Sequence, residues 1–255
     1  MPTQTVFEEC YRGRQSSIHH LAYLRTGKVF LILRMLQKAG ISLEDKDVFD
    51  YGFGAGTFFR HCPRSARLFG VEIDPENVAD VAVMLTSRDH PQIDLQSIAI
   101  SEWEKHPLLE RRYDVITCSH VLEHLDAPAA LLRRLRDCLR PGGAIIALVP
   151  INERVLSPHH VVSVNRKLAE SWASASGLKL ADYLEDDPWI YWCQPLFAVD
   201  EGWKHTLAQA VSLGIGISAR ALGPKGWRQA SKAFSAITFS RPTQAALLLV
   251  SPEVN

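Results

Sequence analysis

The sequence predicts an α/β chain organised around a parallel sheet, and three observations carry that expectation. Short β-branched runs alternate with helical apolar patterns, which is the rhythm of βαβ units. The first of those runs enters a turn with three alternating glycines, "VFDYGFGAG". An apolar fraction of 47% against 22% charged residues leaves ample core-forming material for one α/β domain of 255 residues.

Each element has its own signal. Val29, Ile32, Leu33, Leu36 and Ala39 recur at helical spacing, and Gly40 closes that helix over 28–39. Strands follow at 47–52 and 66–73, and Asp74-Pro75 opens a helix running to Leu85. Residues 92–99 and 113–119 read as the third and fourth strands. Leu131, Leu132, Leu135, Cys138 and Leu139 stripe a helix that stops at Arg140-Pro141-Gly142-Gly143. The fifth strand is 144–150, a helix over 164–176 ends at Gly177, and 178–184 and 244–251 complete seven strands.

Residues 185–243 lack strand rhythm and carry Trp189, Tyr191, Trp192, Phe197, Trp203 and Trp227. A structureless connection of that length is unfavourable, so helices of its own are expected, laid over one end of the sheet. Those aromatics suit either the packing of that lobe or the wall of a substrate pocket.

Charge excludes some functions. Lys+Arg and Asp+Glu balance at 28 each, so general affinity for nucleic acid or membrane surfaces is not signalled. Between Glu201 and Glu253, however, Lys204, Arg220, Lys225, Arg228, Lys232 and Arg241 meet no acid. Such a run is a solvated basic face or a contact for an anionic substrate. Five scattered cysteines without a C-x-x-C pair suggest neither a disulfide framework nor a structural zinc, and no metal is expected. The N-terminal residues lack a signal-peptide core, and "VFLILRML" is broken by Arg34 and too short to span a bilayer. A cytoplasmic protein is expected.

The glycines narrow the cofactor without naming it. Gly52, Gly54 and Gly56 give G-x-G-x-G, whereas a dinucleotide loop wants its third glycine where Thr57 stands, and no G-K-S/T follows. Glu72, 20 residues beyond Gly52, is placed to grip ribose hydroxyls. Dehydrogenases share that acid, so a nicotinamide or flavin enzyme stays open on these residues.

The stretch "RYDVITCSHVLEHLDAPAALLRRLRDCLRPGGAIIALVP" resembles the class I S-adenosylmethionine-dependent methyltransferases, small-molecule branch (type 11/23-like). Tyr113-Asp114, Val121 to Leu125 and Leu139 to Gly143 carry the likeness, with "VFDYGFGAG" and "FGVEIDPENV" matching the family's earlier motifs. The resemblance spans about 27–184. It implies a Rossmann-like, seven-stranded, mostly parallel sheet with helices on both faces and the last strand antiparallel. It also implies S-adenosylmethionine as donor and S-adenosylhomocysteine as product. Asp50, Gly52, Gly54 and Gly56 would receive the methionine end, Glu72 the ribose and Ile73 the adenine face. Ser101 or Glu102 would meet the adenine amino group, and Cys118, Ser119 and His120 would line the methionine portion. Pro141-Gly142-Gly143 is a turn requirement only. The chain reads as one methyltransferase domain: a lid at 1–27 with Tyr11, His19, His20 and Tyr23, a cofactor core at 28–184, the aromatic and basic insertion at 185–243, and the closing strand at 244–255.

Methylating a hydroxyl calls for a proton acceptor, and histidine suits that task near neutral pH. His124, in "LEHL", and His159 and His160, in "SPHH", are the candidates. The N/D-P-P-Y/F element of base-amine methyltransferases is absent, and Thr117 rather than proline precedes Cys118, against a cytosine C5 enzyme. A small-molecule acceptor, anionic or sugar-like, is therefore expected, with methyl transfer to oxygen or nitrogen. RNA or protein methylation, a non-catalytic cofactor binder and a nicotinamide oxidoreductase are the alternatives. A homodimer is compatible with the sequence.

Overall fold

The computed structural model describes residues 23–99, 106–154, 160–197 and 202–252. Seven strands form one sheet: β1 (Asp47–Tyr51), β2 (Arg67–Glu72), β3 (Ile93–Ser97), β4 (Tyr113–Ser119), β5 (Leu139–Pro150), β6 (Lys179–Asp186) and β7 (Gln244–Val250). Their spatial order is β3-β2-β1-β4-β5-β7-β6. The first five pair in parallel, while β7 runs antiparallel to both β5 and β6. The expected fold class is the observed one.

The alternation of side chains along the strands divides the core into two layers. Phe49, Phe69, Ile116 and Ile145 face α3 (Pro128–Asp137) and α4 (Arg166–Ala175), which add Leu131, Leu132, Leu135 and Trp172. Their neighbours Val48, Leu68, Val115 and Ile146 face α1 (Tyr23–Ala39) and α2 (Pro75–Thr86). Asp74 caps α2 by accepting from the Glu76 amide at 3.0 Å, with Pro75 at the first helical position.

Three boundaries differ from expectation for local reasons. α1 covers Tyr23–Ala39, so residues 23–27 are helical where the sequence expected the helix from 28. The third helix stops at Asp137; Cys138 is its cap, and Leu139 already pairs with Tyr113 in the sheet. The Arg140–Gly143 turn then bulges out before Ala144 resumes pairing with Val115. Gly142 takes φ +76°, and a Cβ on Gly143 would sit 3.0 Å from the carbonyls of Asp114 and Arg140. The turn thus also lets β5 close against β4.

The inserted region packs on α1. It is dominated by α5 (Gly202–Thr238), kinked where Gly223 leaves helical geometry before Pro224. Phe30 of α1 packs with Ile190, Ala219 and Trp227. Trp189 stacks on Trp227 and Phe234 at 4.6 and 4.5 Å, and its Nε1 donates to Ser231 at 2.8 Å. Packing therefore accounts for these aromatics, whereas Trp192 and Trp203 are exposed. No helix among the described residues is long and apolar enough to cross a membrane.

At the end of the sheet where the parallel strands begin, Asp47 is held by Arg67 and Arg140, and Asp114 accepts from Arg140 at 2.6 Å. Those acids hold strands together and are far along the chain direction from the glycine turn. In β2, a Cβ on Gly70 would lie 2.6 Å from Phe53 and 3.1 Å from Phe59, both of the turn after β1. Gly70→Ala is expected to cost about 1–3 kcal/mol through overpacking. Urea unfolding checks this; an unchanged midpoint would mean the two rings move aside freely.

Candidate functional site

The site lies where the parallel strands end. Asp50 is a β1 residue, and the chain then turns sharply through Gly52, Gly54 and Gly56, all with positive φ that other residues take at a cost. The Gly52 amide donates to Val71 at 2.9 Å. A Cβ on Gly52 would lie 2.8 Å from Val121, so the turn is seated directly against the segment that follows β4.

Two acids sit under this turn. Glu72, at the end of β2, accepts from the Gly54 amide at 2.7 Å and from the Ile73 amide at 2.9 Å. Burial pushes its carboxyl above the ordinary range, opposed by those amides. The carboxylate braces the glycine turn and keeps lone pairs for ribose hydroxyls. Asp50 is 3% exposed, and its Oδ1 has no hydrogen-bond partner among the described residues. Burial raises its carboxyl to about 7, helped by the charge of Glu72 and opposed by Thr117, which faces it across the β1–β4 ladder.

A second cluster forms after β4. Ser119 ends that strand, and His120 turns the chain with φ +56°, a conformation non-glycine residues hold under local constraint. Its Nδ1 lies 2.9 Å from Glu123 Oε1 and its Nε2 2.5 Å from Gln244 Oε1 at the start of β7. Burial, then the Lys28 ammonium, depress His120 to about 4, so the ring is neutral near pH 7. Burial opposes ionisation of Glu123, yet the imidazoles of His120 and His124 hold its carboxyl below the usual carboxylate range.

His124 and His160 meet edge to face with ring centroids 4.9 Å apart. His160 Nδ1 lies 2.8 Å from Glu153 Oε1, a contact that makes Nδ1 the donor and leaves Nε2 as the proton-accepting nitrogen. The Val161 amide donates to the Glu123 carbonyl at 2.8 Å, tying the loop after β5 to the turn after β4. Donor atoms of Glu123, His124 and His160 all fall within 4.8 Å of one another, a set that could also take a cation.

The expected residues therefore fall into groups. Asp50, Gly52, Gly54, Gly56, Glu72 and Ile73 come together around the turn, and His120, His124 and His160 gather beside it after β4. Cys118 is buried in the core layer facing α3 and α4, its thiol pushed up by burial and then by the charges of Asp50 and Glu123. Ser101, Glu102 and His159 lie outside the described residues, as do Tyr11, His19 and His20. Sequence reasoning gave no role to Glu123, Glu153 or Gln244. Only Gln244 left a trace, as a polar residue opening an otherwise apolar strand.

A family profile described as a methyltransferase domain matches residues 22–194, about two thirds of the sequence. The chain belongs to this methyltransferase-domain family. Ubiquinone biosynthesis O-methyltransferases are among the relatives of this methyltransferase-domain chain. That of Yersinia enterocolitica is 32% identical over 138 residues, covering 52% of this chain and 51% of its own. The Serratia proteamaculans enzyme is 29% identical over 136 residues, covering 52% of each. The chain spans about half the length of these relatives.

Solved structures share the fold at low identity. A coclaurine N-methyltransferase bound to N-methylheliamine and S-adenosylhomocysteine superposes with a TM-score of 0.61 at 11% identity, covering 97% of this methyltransferase-domain chain and 85% of its own. The cyclase SpnF does so with 0.56 at 15% identity, covering 88% and 81%. One fold thus carries proteins named for different reactions, and chemistry must be argued from the site.

Proposed function

We propose that this methyltransferase-domain protein binds S-adenosylmethionine against the glycine turn and methylates a hydroxyl oxygen of a small molecule. The carrying observation is Asp50: a buried carboxylate oxygen without a hydrogen-bond partner among the described residues, beside glycines that admit a ligand to the backbone. A cationic cofactor fits that donor set, because a positive charge favours the ionised carboxylate that burial alone disfavours. S-adenosylmethionine supplies, when bound, a methyl group activated on a sulfonium sulfur. Asp50 would hold the cofactor's cationic end, and Glu72 its ribose while keeping the turn in shape.

Oxygen is preferred to nitrogen as the acceptor atom because a histidine–carboxylate pair stands beside the turn. His160, oriented by Glu153, would take the hydroxyl proton at Nε2, and His124 would pack against its ring. The O-methyltransferase relatives support the same choice. An anionic or flat acceptor suits Arg154, whose guanidinium lies over the Trp192 and Tyr191 rings at 4.8 and 5.6 Å. It also suits the acid-free segment from 202 to 252.

Two measurements test the reading. Calorimetry should show S-adenosylhomocysteine binding and no binding of NAD. Tritium-methyl transfer in cell extract should label the small-molecule fraction; label confined to RNA or protein would overturn the acceptor class, and NAD binding alone would overturn the cofactor.

A further inference from the structure

Taking a proton from a hydroxyl needs one lone pair on one ring, with one acid behind it. His160 and Glu153 supply both. Glu123 is not needed for that step, yet its side chain is wholly buried beside the two rings. Its Oε1 lies 2.9 Å from His120 Nδ1, and its Oε2 has no hydrogen-bond partner among the described residues. A carboxylate placed this way is costly unless a positive charge answers it.

The donors converge around that carboxylate. One ligand atom each from Glu123, His124 and His160 lie within 4.8 Å of one another, and Glu123 Oε1 is 4.0 Å from His124 Nε2. An ion bound tetrahedrally at about 2.0–2.1 Å would set such atoms about 3.3 Å apart. The widest separation must then close by up to about 1.5 Å, a contraction shared among three side chains. The partners of these donors orient them beforehand. Glu153 Oε1, 2.8 Å from His160 Nδ1, leaves Nε2 as the ligand atom of that ring, the carboxylate–imidazole pairing that stands behind metal-bound histidines. His120 braces the Glu123 carboxylate. A lone parallel bridge between Ile151 and Val164 closes the loop that carries Glu153 and His160. The Val161 amide, on the Glu123 carbonyl at 2.8 Å, ties that loop to the turn carrying Glu123 and His124.

We infer that Glu123, His124 and His160 form a binding site for a divalent transition-metal ion of the Zn²⁺ class. Two imidazole nitrogens and one carboxylate oxygen suit Zn²⁺ or Fe²⁺ and disfavour Mg²⁺, which takes oxygen donors. Three protein ligands leave a position open, as in centres where the ion receives water or a substrate oxygen and unlike closed structural sites. The ion would take the Nε2 lone pair that His160 offers to the hydroxyl proton in the proposed reaction. Bound ion and proton-accepting ring therefore exclude one another. The site itself does not depend on that reaction, and binding alone tests it.

The untagged full chain, treated with a chelator and dialysed, is titrated with ZnCl₂ by calorimetry and with CoCl₂ by visible absorption. The expected result is a single Zn²⁺ per chain, with no binding heat from MgCl₂. His160→Asn and Glu123→Gln should each weaken Zn²⁺ binding at least about 10²-fold, and Glu153→Gln about 10-fold, with circular dichroism showing each variant folded. His160→Cys should keep Co²⁺ and add a thiolate-to-cobalt charge-transfer band, which a ring of purely structural purpose would not produce. The inference fails if the chain takes up no Zn²⁺ or prefers Mg²⁺. It fails equally if Zn²⁺ affinity survives both His160→Asn and Glu123→Gln, or if the cobalt spectrum of His160→Cys lacks that band.

Discussion

Asp50→Asn is expected to weaken S-adenosylmethionine binding about 10²-fold, or ~2.7 kcal/mol, and to abolish its pH dependence. In the cofactor-free protein, burial holds the Asp50 carboxyl at about 7, so near neutrality it is partly protonated. A cationic cofactor binds the carboxylate better than the acid. Affinity in the parent should therefore rise up to tenfold per pH unit below about 7 and level off above it. Binding at about pH 6 should release a proton, visible as a buffer-dependent calorimetric enthalpy. The stability of the cofactor-free protein carries the opposite sign. A carboxyl raised in the folded state holds a proton that the unfolded chain has lost, so Asp50 costs stability as pH rises from about 4 to about 7. The amide introduced by Asp50→Asn titrates in neither state and removes both slopes. Affinity in the parent that stays level from about pH 5.5 to 8 would reject Asp50 as the cofactor's charge partner.

His160→Asn should reduce the rate of methyl transfer about 10²–10⁴-fold while leaving cofactor affinity unchanged. His160 is placed by Glu153, whose Oε1 lies 2.8 Å from Nδ1 and selects the tautomer with Nε2 unprotonated. Glu153→Gln should give a smaller loss, since an amide oxygen still accepts from Nδ1–H but no longer supports the imidazolium formed on proton transfer. His124→Asn is the comparison: its ring packs against His160, so the loss should be smaller and accompanied by a lower melting temperature. A His160→Asn enzyme with a near-parental rate would remove it from the proton path, and a loss confined to KM would make it a substrate contact.

The sheet was readable because its signals are local. β-branched runs, Asp74-Pro75 and the alternating glycines each act within a few residues, and the strands fall within a residue or two of expectation except at β5. There the ladder begins at Leu139 because Gly143 can pass between carbonyls of the neighbouring strand. That fact is absent from the turn's own sequence. Cys118 shows the same limit. Its position at the end of β4 suggested a cofactor contact, but strand alternation turns the side chain into the core.

What the sequence determined by itself was the glycine turn with its two acids: Gly52, Gly54, Gly56, Asp50 and Glu72 lie within 23 residues, and hydrogen bonds from Gly54 and Ile73 to Glu72 close within β1, β2 and the turn that joins them. Only the tertiary structure decided the histidine cluster. His120 meets Gln244 across 124 residues, and Glu123, His124, His160 and Glu153 converge from two turns joined by the Val161–Glu123 backbone hydrogen bond. Spacing along one element can be read from the chain alone; which elements meet depends on how the sheet and its layers close.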